Sequence, residues 1–361
     1  MGIQVLYLWF VAISFVFLTI IDVRGYASKP EEEKPIQHTA KVLVIVPCKG
    51  IDLTLYENLK SIKKQQYALY DVVAVTDSND DPSVKIIKEA GIRHIVSASK
   101  CTRCSGKVRA ISTAFERFNN YDVYTIADSD VMVSESWLRN LVAPLSDTKI
   151  GISTMFPYFN PIGGFWARVK AVWGFAGESL MSSSLTKFGW GGSLAFRKSL
   201  LDAKSLKFFK DSAYSISDDI SLTKIATAKG LKVAYVRKPQ PYVNSDDNFG
   251  RFLEWSNRQT KFSIFGNKKI LYYGMAFSAA EIIVFLSGVT LSVAVSPIFL
   301  ILLLHFAQTL TKNYFKAKEK GLRIGISLAA ITAMMPFIYF LNFIEARRMN
   351  SVMWRGTRYS F

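Results

Sequence analysis

The longest uninterrupted apolar stretches lie near the two ends of the chain. Residues 3–21 form a run of 19 residues without a charged side chain. At about 1.5 Å per residue, a helix of that length crosses the ~30 Å hydrocarbon core of a bilayer. Small residues near Gly25 also allow a cleaved signal peptide. Basic residues follow the run and none precedes it, which favours an anchor with the rest of the chain in the cytoplasm.

The second apolar region, residues 270–304, is 35 residues long and contains one acidic side chain, Glu281. It is too long for one straight span, and Gly288 and Pro297 are candidate positions for a turn between two helices. Residues 324–344 form a further candidate span. The sequence therefore predicts two or three transmembrane helices in this part of the chain.

Between these regions, predicted strands alternate with predicted helices. Residues 41–47 are rich in β-branched residues, as in a buried parallel strand, and the apolar spacing of residues 53–65 predicts the helix that follows. The same patterns predict further strands at 71–76, 94–96 and 122–127 and helices at 83–90 and 110–118. Such alternation is typical of right-handed βαβ units, so we expect an α/β domain whose mainly parallel sheet binds ligands at the carboxyl ends of its strands.

These patterns divide the chain into four predicted parts. They are an N-terminal transmembrane anchor, a catalytic α/β domain, a set of C-terminal transmembrane helices and a basic tail, at residues 1–24, 41–265, 270–344 and 345–361. Within the α/β domain, residues 156–176 contain seven aromatic side chains interrupted by Arg168 and Lys170. This composition suits an amphipathic helix in the headgroup region of a membrane, and packing of the same aromatic residues in a protein core is the alternative.

Composition and charge narrow the class of protein. The chain has 361 residues, of which 50% are hydrophobic and 20% charged, and this excludes a disordered protein. The net charge of +17 would suit either nucleic acid or an anionic membrane surface. Because the cationic residues cluster beside the apolar runs, and no separate basic and aromatic recognition motif occurs, we predict a membrane partner and no nucleic acid.

The three cysteines are too few for a disulfide framework, and their odd number leaves at least one thiol free. Cys101 and Cys104 have the spacing of half a zinc site or of a redox pair. Nothing in the spacing of Cys48 and His94 completes a zinc shell. We therefore expect two free thiols in a loop, in a domain that lies in a reducing compartment.

Acidic side chains follow two of the predicted strands. Asp77 follows one strand, with Asp80 shortly after it, and Asp128 and Asp130 follow another. The last two carboxylates are separated by one residue, so they repel each other unless a cation lies between them. Mg²⁺ or Mn²⁺ suits such a site, because both bind carboxylates while keeping waters and bridging phosphates. The alternative is a pair of solvated turn acids that cap the next helix.

A second acidic pair, Asp218 and Asp219, precedes a predicted helix at residues 220–229. A positioned carboxylate that takes a proton from an attacking alcohol contributes about 10²–10⁴ in rate. Repulsion between the two acids would raise one pKa toward the range that suits a base. Alternatively, Ser217 and Asp218 are suitable N-caps, so that one acid caps the helix while the other does chemistry.

Seven short motifs occur in the order seen in family-2 glycosyltransferases of the GT-A fold, which the chain resembles over residues 41–265. They are Pro47-Cys-Lys-Gly50, Asp77-Ser-Asn-Asp-Asp-Pro82, Ser105-Gly-Lys107, Asp128-Ser-Asp130, Gly189-Trp-Gly-Gly-Ser193, Ser217-Asp-Asp-Ile-Ser-Leu222 and Arg251-Phe-Leu-Glu-Trp255. The Pro-Cys-Lys-Gly and Asp-Asp-Pro segments and the tail Trp354-Arg-Gly-Thr-Arg-Tyr359 resemble the ceramide glucosyltransferase branch. The resemblance implies a GT-A domain with a Rossmann-like, mainly parallel mixed sheet, one N-terminal span and a small C-terminal helix bundle.

The resemblance also assigns roles to individual residues. It implies that Asp219 is the general base of an inverting transfer, and that Asp128 and Asp130 hold the Mg²⁺ or Mn²⁺ ion that bridges the donor diphosphate. Asp77 or Asp80 would contact the uracil of a UDP-sugar. The substrate-binding residues implied in this way are Pro47, Gly50, Asp77, Asp80, Lys107, Asp128, Trp190, Asp218, Arg251 and Trp255.

One position departs from the family pattern. The family has arginine directly before the tryptophan of the last motif, whereas this chain has Glu254 before Trp255. A carboxylate beside a diphosphate is unfavourable, so a nearby cation would have to replace the missing arginine. Arg258, one helical turn beyond Glu254, is the candidate that the spacing indicates.

The expected function is that of a membrane-bound hexosyltransferase. The resemblance implies that it moves a sugar, glucose in the related branch, from a UDP-sugar to a hydroxyl of a membrane lipid at the cytoplasmic face. Three alternatives remain at this point: a polyprenyl-phosphate glycosyltransferase, a processive polysaccharide synthase, and a membrane-surface adaptor without turnover. The small number of spans leaves little material for a polymer channel.

Overall fold

The computed structural model describes residues 2–27, 40–101, 103–183 and 186–361. The chain forms two compact units. One, here called the sheet unit, comprises residues 32–162, 177–246 and 350–361. The other, here called the helical unit, comprises residues 1–31, 163–176 and 247–349. Each unit therefore combines segments that are far apart in the sequence.

The sheet unit contains a seven-stranded sheet with the strand order β3-β2-β1-β4-β8-β6-β9. Strands β1 to β4 are parallel, whereas β8 runs antiparallel to both β4 and β6. The seven strands are β1 (Val42–Pro47), β2 (Tyr70–Thr76), β3 (Arg93–Val96), β4 (Val123–Ala127), β6 (Ile150–Thr154), β8 (Ser193–Arg197) and β9 (Lys232–Tyr235). This confirms the predicted α/β class with a mainly parallel sheet.

Helices cover the sheet and place loops at the carboxyl ends of its strands. The predicted first helix is confirmed, with Leu55, Leu59 and Ile62 on its buried face. The helices of this unit are α2 (Leu55–Lys63), α3 (Ser83–Glu89), α4 (Gly106–Arg117), α5 (Trp137–Val142), α7 (Ala203–Asp211) and α8 (Asp218–Ala228). The predicted helices and strands up to residue 127 thus match the observed elements within a few residues.

Two smaller β structures complete the sheet unit. Three short strands form a second sheet with the order β5-β10-β7. They are β5 (Val131–Met132), β7 (Tyr158–Pro161) and β10 (Tyr242–Ser245). The C-terminal residues form an antiparallel hairpin of β11 (Ser351–Trp354) and β12 (Thr357–Ser360). The hairpin belongs to the sheet unit although the helical unit directly precedes it in the chain.

The expectation of two free thiols in the loop before α4 is wrong. Cys101 and Cys104 form a disulfide, with their Cα atoms 5.8 Å apart. This separation lies within the range that a disulfide requires. Cys48 is a free thiol at the end of β1, where burial first and nearby carboxylates second raise its pKa.

The helical unit is built from long apolar helices. Its elements are α1 (Gly2–Ala27), the first part of α6 (Phe165–Met181), α9 (Phe249–Gly266), α10 (Lys269–Ala294), α11 (Leu304–Glu319) and α12 (Ser327–Arg348). Among the described residues, three stretches are long and apolar enough to cross a membrane: Gln4–Ile21, Lys269–Ala294 and Ser327–Arg348. The chain thus has one N-terminal and two C-terminal candidate spans, as expected of a membrane protein.

The long apolar run after residue 270 does not become two spans. α10 continues through Gly288 and ends at Ala294, and a 3₁₀ helix begins at Pro297. α11, which follows, has 16 residues and carries charged side chains in its second half, so it is too short and too polar to be a third C-terminal span.

Glu281 lies buried inside this unit with its Oε1 atom 3.1 Å from Nε2 of His305. This agrees with the rule that an ionisable residue in an apolar span faces protein.

The segment at residues 156–176 is partly extended and partly helical. Its first residues form β7, and α6 begins at Phe165. Phe156 and Phe175 are buried, whereas Phe165 is 40% exposed. Trp173 packs edge-on against Trp255 with ring centroids 4.9 Å apart. Most of these aromatic side chains therefore pack against protein.

The core of the sheet unit depends on a cluster of aromatic rings, and this gives a test of the fold. Phe196 on β8 is fully buried, with its ring centroid 5.9 Å from that of Tyr124 on β4. We expect Phe196→Ala to lower the free energy of unfolding by about 3–5 kcal/mol, because it removes buried area and leaves a cavity. Phe208→Ala is the matched control, since that ring is 37% exposed. Thermal unfolding of the detergent-solubilised variants measures the difference, and equal melting temperatures would contradict the observed packing.

Candidate active site

The candidate site lies at the carboxyl ends of the parallel strands β1, β2 and β4. Asp77 directly follows β2, and Asp128 directly follows β4. β1 ends at Pro47, and the loop after it contains Gly50. Because these strands are parallel neighbours, their carboxyl ends share one edge of the sheet, where α/β folds bind ligands. The structure thus brings together the acids that the sequence singled out after separate strands.

Lys107 connects two of these acidic groups. Its Nζ atom lies 2.7 Å from Oδ1 of Asp128 and 3.2 Å from Oδ2 of Asp218, and its side chain is only 10% exposed. Lys107 is in the first turn of α4, whose N-cap Ser105 accepts a hydrogen bond from the Val108 N–H. Burial alone would lower the pKa of Lys107, but the two carboxylates outweigh it and raise the pKa. The lysine is therefore a permanent cation between two acids.

The acids at the start of α8 lie in different environments. Asp218 is 3% exposed, and its burial raises its pKa although Lys107 opposes the shift. Asp219 is half-buried, and its Oδ1 atom accepts hydrogen bonds from the Ser217 hydroxyl and, at 2.7 Å, from the Ile220 N–H. One acid is thus held in the interior by a lysine, and the other is the more accessible carboxylate.

The glycine-rich loop before β8 packs directly against the Lys107–Asp218 pair. A Cβ atom on Gly191 would lie 2.2 Å from Oδ2 of Asp218 and 2.9 Å from Nζ of Lys107. The neighbouring Trp190 is fixed by its backbone N–H, which donates to the Thr154 hydroxyl at 2.9 Å. Its ring makes an edge-on contact with Phe156. The loop therefore needs glycine at 191 because the buried ion pair occupies the space of a side chain.

Asp77 is held by two cations. Its Oδ1 atom lies 2.6 Å from Nη2 of Arg109, and its Oδ2 atom lies 3.2 Å from Nζ of Lys49. Burial alone would raise the pKa of Asp77, but these hydrogen bonds outweigh it and lower the pKa. Asp80, the other uracil-contacting candidate, is exposed. Of the two, Asp77 is the one built into the edge of the sheet.

Asp81 has a role that the sequence analysis missed. Its carboxylate accepts the Gly50 N–H at 3.1 Å and the Ser83 N–H at 2.9 Å. It therefore ties the loop after β1 to the start of α3. Gly50 adopts φ = +72°, a conformation that glycine allows without strain. The Asp-Asp-Pro sequence contained this residue, but its contact with Gly50 depends on the pairing of β1 with β2.

The C-terminal hairpin also reaches this edge of the sheet unit. Arg355 donates from Nη2 to Oδ1 of Asp52 and from Nη1 to the Lys49 carbonyl at 2.9 Å. Asp52 in turn accepts the Ser129 hydroxyl at 2.5 Å, and Ser129 is the middle residue of Asp128-Ser-Asp130. The Tyr359 hydroxyl accepts the Gly106 N–H at 3.4 Å. None of these contacts was predicted, because they join residues 77 to 306 positions apart in the sequence.

Arg251, Trp255 and Arg258 lie in α9, which belongs to the helical unit. The Trp255 ring has Nζ of Lys170 4.5 Å from its centroid, and the same ammonium group lies 2.9 Å from Oδ2 of Asp247. Arg251 and Glu254 are exposed, and Arg258 is partly buried. The Trp255 ring therefore packs against the ion pair of Lys170 and Asp247.

The acids after β4 were also expected to hold a metal ion. Among the residues that the structure describes, no group of three or more His, Cys, Asp or Glu side chains is arranged to hold one. Asp128 forms an ion pair with Lys107, and Asp130, two residues further along the chain, is partly buried. A metal at this edge would therefore need oxygen ligands from a bound substrate in addition to protein carboxylates.

The sequence of the chain matches a known protein family over almost its whole length. A family model described as glycosyl transferase family 21 matches residues 5–361. The chain belongs to glycosyl transferase family 21. This membership confirms the resemblance to family-2-type GT-A glycosyltransferases and identifies the protein as a glycosyltransferase.

Individual relatives are distant. Ceramide glucosyltransferase 1 of Caenorhabditis elegans is 24% identical over 212 residues, which cover 55% of this chain and 44% of that protein. The match thus spans less than half of the relative's length. A mannosyltransferase from Pyrobaculum calidifontis, solved with GDP-Man and Mn²⁺, superposes with a TM-score of 0.54 at 16% identity and covers 94% of this chain and 98% of its own. This likeness supports the GT-A fold.

The fit between Gly191 and the buried ion pair predicts the effect of one methyl group. We expect Gly191→Ala to reduce sugar transfer by roughly 10- to 100-fold, because the new Cβ atom must displace Asp218 or Lys107 and small displacements at a reacting site are costly. Gly164→Ala is the matched control, since a Cβ atom there meets nothing within 4 Å. Transfer rates of the two purified variants provide the comparison, and an unimpaired Gly191 variant would contradict the observed packing.

Proposed function

We propose that the protein transfers glucose from UDP-glucose to a hydroxyl group of a membrane lipid at the cytoplasmic face of a membrane, with inversion at the anomeric carbon. The observation that carries this proposal is the difference between the two acids at the start of α8. Lys107 holds Asp218 in the interior, and Asp219 is the more accessible carboxylate beside it. A single accessible base next to a diphosphate-binding edge is what direct displacement by an alcohol requires.

Asp219 would take the proton of the acceptor hydroxyl as that oxygen attacks the anomeric carbon. Its Oδ1 atom is fixed by the Ile220 N–H and the Ser217 hydroxyl. These hydrogen bonds orient the carboxylate and would leave its other oxygen as the proton acceptor. Asp218 would act through position and charge, since Lys107 binds it and the Gly191 loop covers it.

The donor would bind along the edge formed by the loops after β1, β2 and β4. Pro47 and Gly50 would border the nucleotide, with Asp77 near the uracil and Trp190 near the sugar. Lys107 would place a buried positive charge close to the sugar and the diphosphate. Arg251 and Trp255, for which the family motif implies a substrate-binding role, lie with Arg258 in α9 of the helical unit. Their cationic and aromatic chemistry suits a diphosphate and a sugar ring.

Mg²⁺ or Mn²⁺ is the cofactor that this proposal includes. The proposal places the metal at Asp128 and Asp130, the acid pair that the family motif implies, with most of the remaining ligands supplied by the substrate. When bound, the ion would stabilise the negative charge of the leaving diphosphate. Lys107 would keep Asp128 in place and limit its repulsion of the donor.

The lipid acceptor is supported by the three candidate spans and by the name of the ceramide glucosyltransferase relative. Basic residues flank the spans, as expected for segments near a cytoplasmic leaflet. At the start of α6, the exposed Phe165 is the aromatic side chain best suited to the headgroup region. We assign the interfacial role to this end of α6.

A donor panel tests the reaction and the base together. Full-length protein in detergent is incubated with a native lipid extract and radiolabelled nucleotide sugars, and we expect label from UDP-glucose in a single-sugar glycolipid. Asp219→Asn should reduce this transfer at least about 100-fold, since the amide cannot accept the proton. Asp147→Asn is the matched control, because Asp147 is an exposed surface residue.

Each other outcome of the panel excludes a stated part of the proposal. Label in a long polymer would indicate a processive synthase, and label on polyprenyl phosphate would identify a different acceptor. Partner binding without any transfer would indicate an adaptor. Full activity of the Asp219 variant would remove that residue from the mechanism.

The metal role has its own test. We expect EDTA to abolish transfer and added Mn²⁺ or Mg²⁺ to restore it, because the leaving group needs a cation at Asp130. Calorimetric titration of Mn²⁺ into the UDP-bound protein should show binding that Asp130→Asn weakens by roughly tenfold or more, as for other residues that hold a metal in place. Asp147→Asn, which changes an exposed acid before β6, is the comparison variant. Activity that EDTA does not affect would exclude the metal.

A further inference from the structure

The C-terminal hairpin presents one arginine in an uncommon backbone conformation. Strands β11 and β12 are joined by the two residues Arg355 and Gly356, with φ values of +50° and +75°. Positive φ at both central residues is the geometry of a type I′ turn, in which asparagine, aspartate or glycine is the usual first residue. Arginine is disfavoured at this turn position, so turn formation alone does not explain why residue 355 is an arginine.

The surroundings of Arg355 supply that reason. Its guanidinium group binds Asp52 and the Lys49 carbonyl in the loop after β1. Asp52 binds the Ser129 hydroxyl between the two acids that follow β4. Burial alone would lower the pKa of Arg355, but attraction to Asp52, Asp130 and Asp128 outweighs it and raises the pKa. The guanidinium group therefore lies in the field of the acid pair at the donor edge.

The cations at this edge are bound in different ways. Lys107 is 10% exposed and is enclosed by Asp128 and Asp218. Arg355 is 38% exposed and sits at the tip of a hairpin, with Asp52 as its carboxylate partner. Its planar group has five N–H donors, a geometry that matches two phosphate oxygens at once. Arg355 thus combines positive charge, exposure and a position beside the acids.

We propose that the C-terminal hairpin is part of the donor site and that Arg355 binds the diphosphate of the nucleotide sugar. The proposal rests on the proposed function, since it requires a nucleotide-sugar donor. Tyr359, which accepts the Gly106 N–H next to Lys107, fixes the second strand of the hairpin to the same edge. Arg355 would then lie near Asp128 and Asp130, where its charge offsets the repulsion between these acids and the diphosphate.

The test compares a ligand that has the diphosphate with one that lacks it. Full-length protein in detergent is titrated with UDP by calorimetry, and uridine affinity is measured by competition against radiolabelled UDP-glucose. We expect Arg355→Ala to weaken UDP binding about 10- to 100-fold, the range for a lost charge-assisted hydrogen bond, and to leave uridine affinity within about twofold. Arg355→Lys should recover part of the UDP affinity, because it keeps the charge and loses the planar fork.

Two variants separate direct binding from a structural role. Arg358→Ala removes the same charge from the same hairpin, where Arg358 donates to the Ser351 hydroxyl, and it should leave UDP affinity unchanged. Asp52→Asn removes the carboxylate partner of Arg355 while the guanidinium group stays, so it should also retain UDP affinity. Alanine, lysine and arginine all carry a Cβ atom, so the positive φ at 355 costs the same in each variant.

The outcomes are distinct. Equal losses of UDP and uridine affinity in Arg355→Ala, or a loss in Asp52→Asn as large as that in Arg355→Ala, would show a structural role and overturn the proposal. Unchanged UDP affinity in Arg355→Ala would also overturn it. Wild-type protein that binds no UDP and transfers no sugar would instead overturn the proposed function, which is a different result.

Discussion

The buried contact of Lys107 with Asp128 and Asp218 is the interaction on which the arrangement of the site depends. It joins the first turn of α4 to the end of β4, the next element of the chain, and to the start of α8, which is distant in the sequence. Breaking a buried pair by removing one partner typically costs roughly 3–5 kcal/mol, because a charge is left unpaired. Neighbouring features follow from this contact: Gly191 must lack a side chain, and Asp219 is left as the more accessible acid.

The parallel part of the fold was predictable because its signals are local. The apolar run of β1 and the helical spacing of α2 are visible within windows of about ten residues, and their burial bears this out. The antiparallel strand β8 and the short sheet β5-β10-β7 were not predicted, since two- to five-residue strands acquire their order from pairing across the chain. The disulfide was missed for a similar reason: spacing alone does not show how closely two Cα atoms approach.

The site was predictable in its residue types and not in its contacts. Acids after buried strands pointed to one edge of the sheet, and Asp77 and Asp128 do share that edge because parallel strands end together. The sequence could not show that Asp218 would be buried and Asp219 accessible, since both are aspartates at the start of one helix. Asp81, Asp52 and Arg355 escaped notice because their partners in other loops lie 31 to 306 residues away. An Arg-Gly pair flanked by short β-prone segments does indicate a hairpin, but it does not indicate which residues the hairpin contacts.

The opposing charges at this edge have a common physical origin. The proposed reaction needs a carboxylate to accept a proton, and carboxylates repel a diphosphate donor. In the described residues, four acids at this edge have a specific cation: Lys107 binds Asp128 and Asp218, Arg109 and Lys49 bind Asp77, and Arg355 binds Asp52. These pairs also tie elements together, so the same contacts lower the negative potential and hold the loops in place. It follows that the charge of a cation at this edge does not by itself define its role. A buried cation such as Lys107 holds the acids in position. A cation at an exposed hairpin tip, such as Arg355, can exchange its carboxylate partner for a ligand.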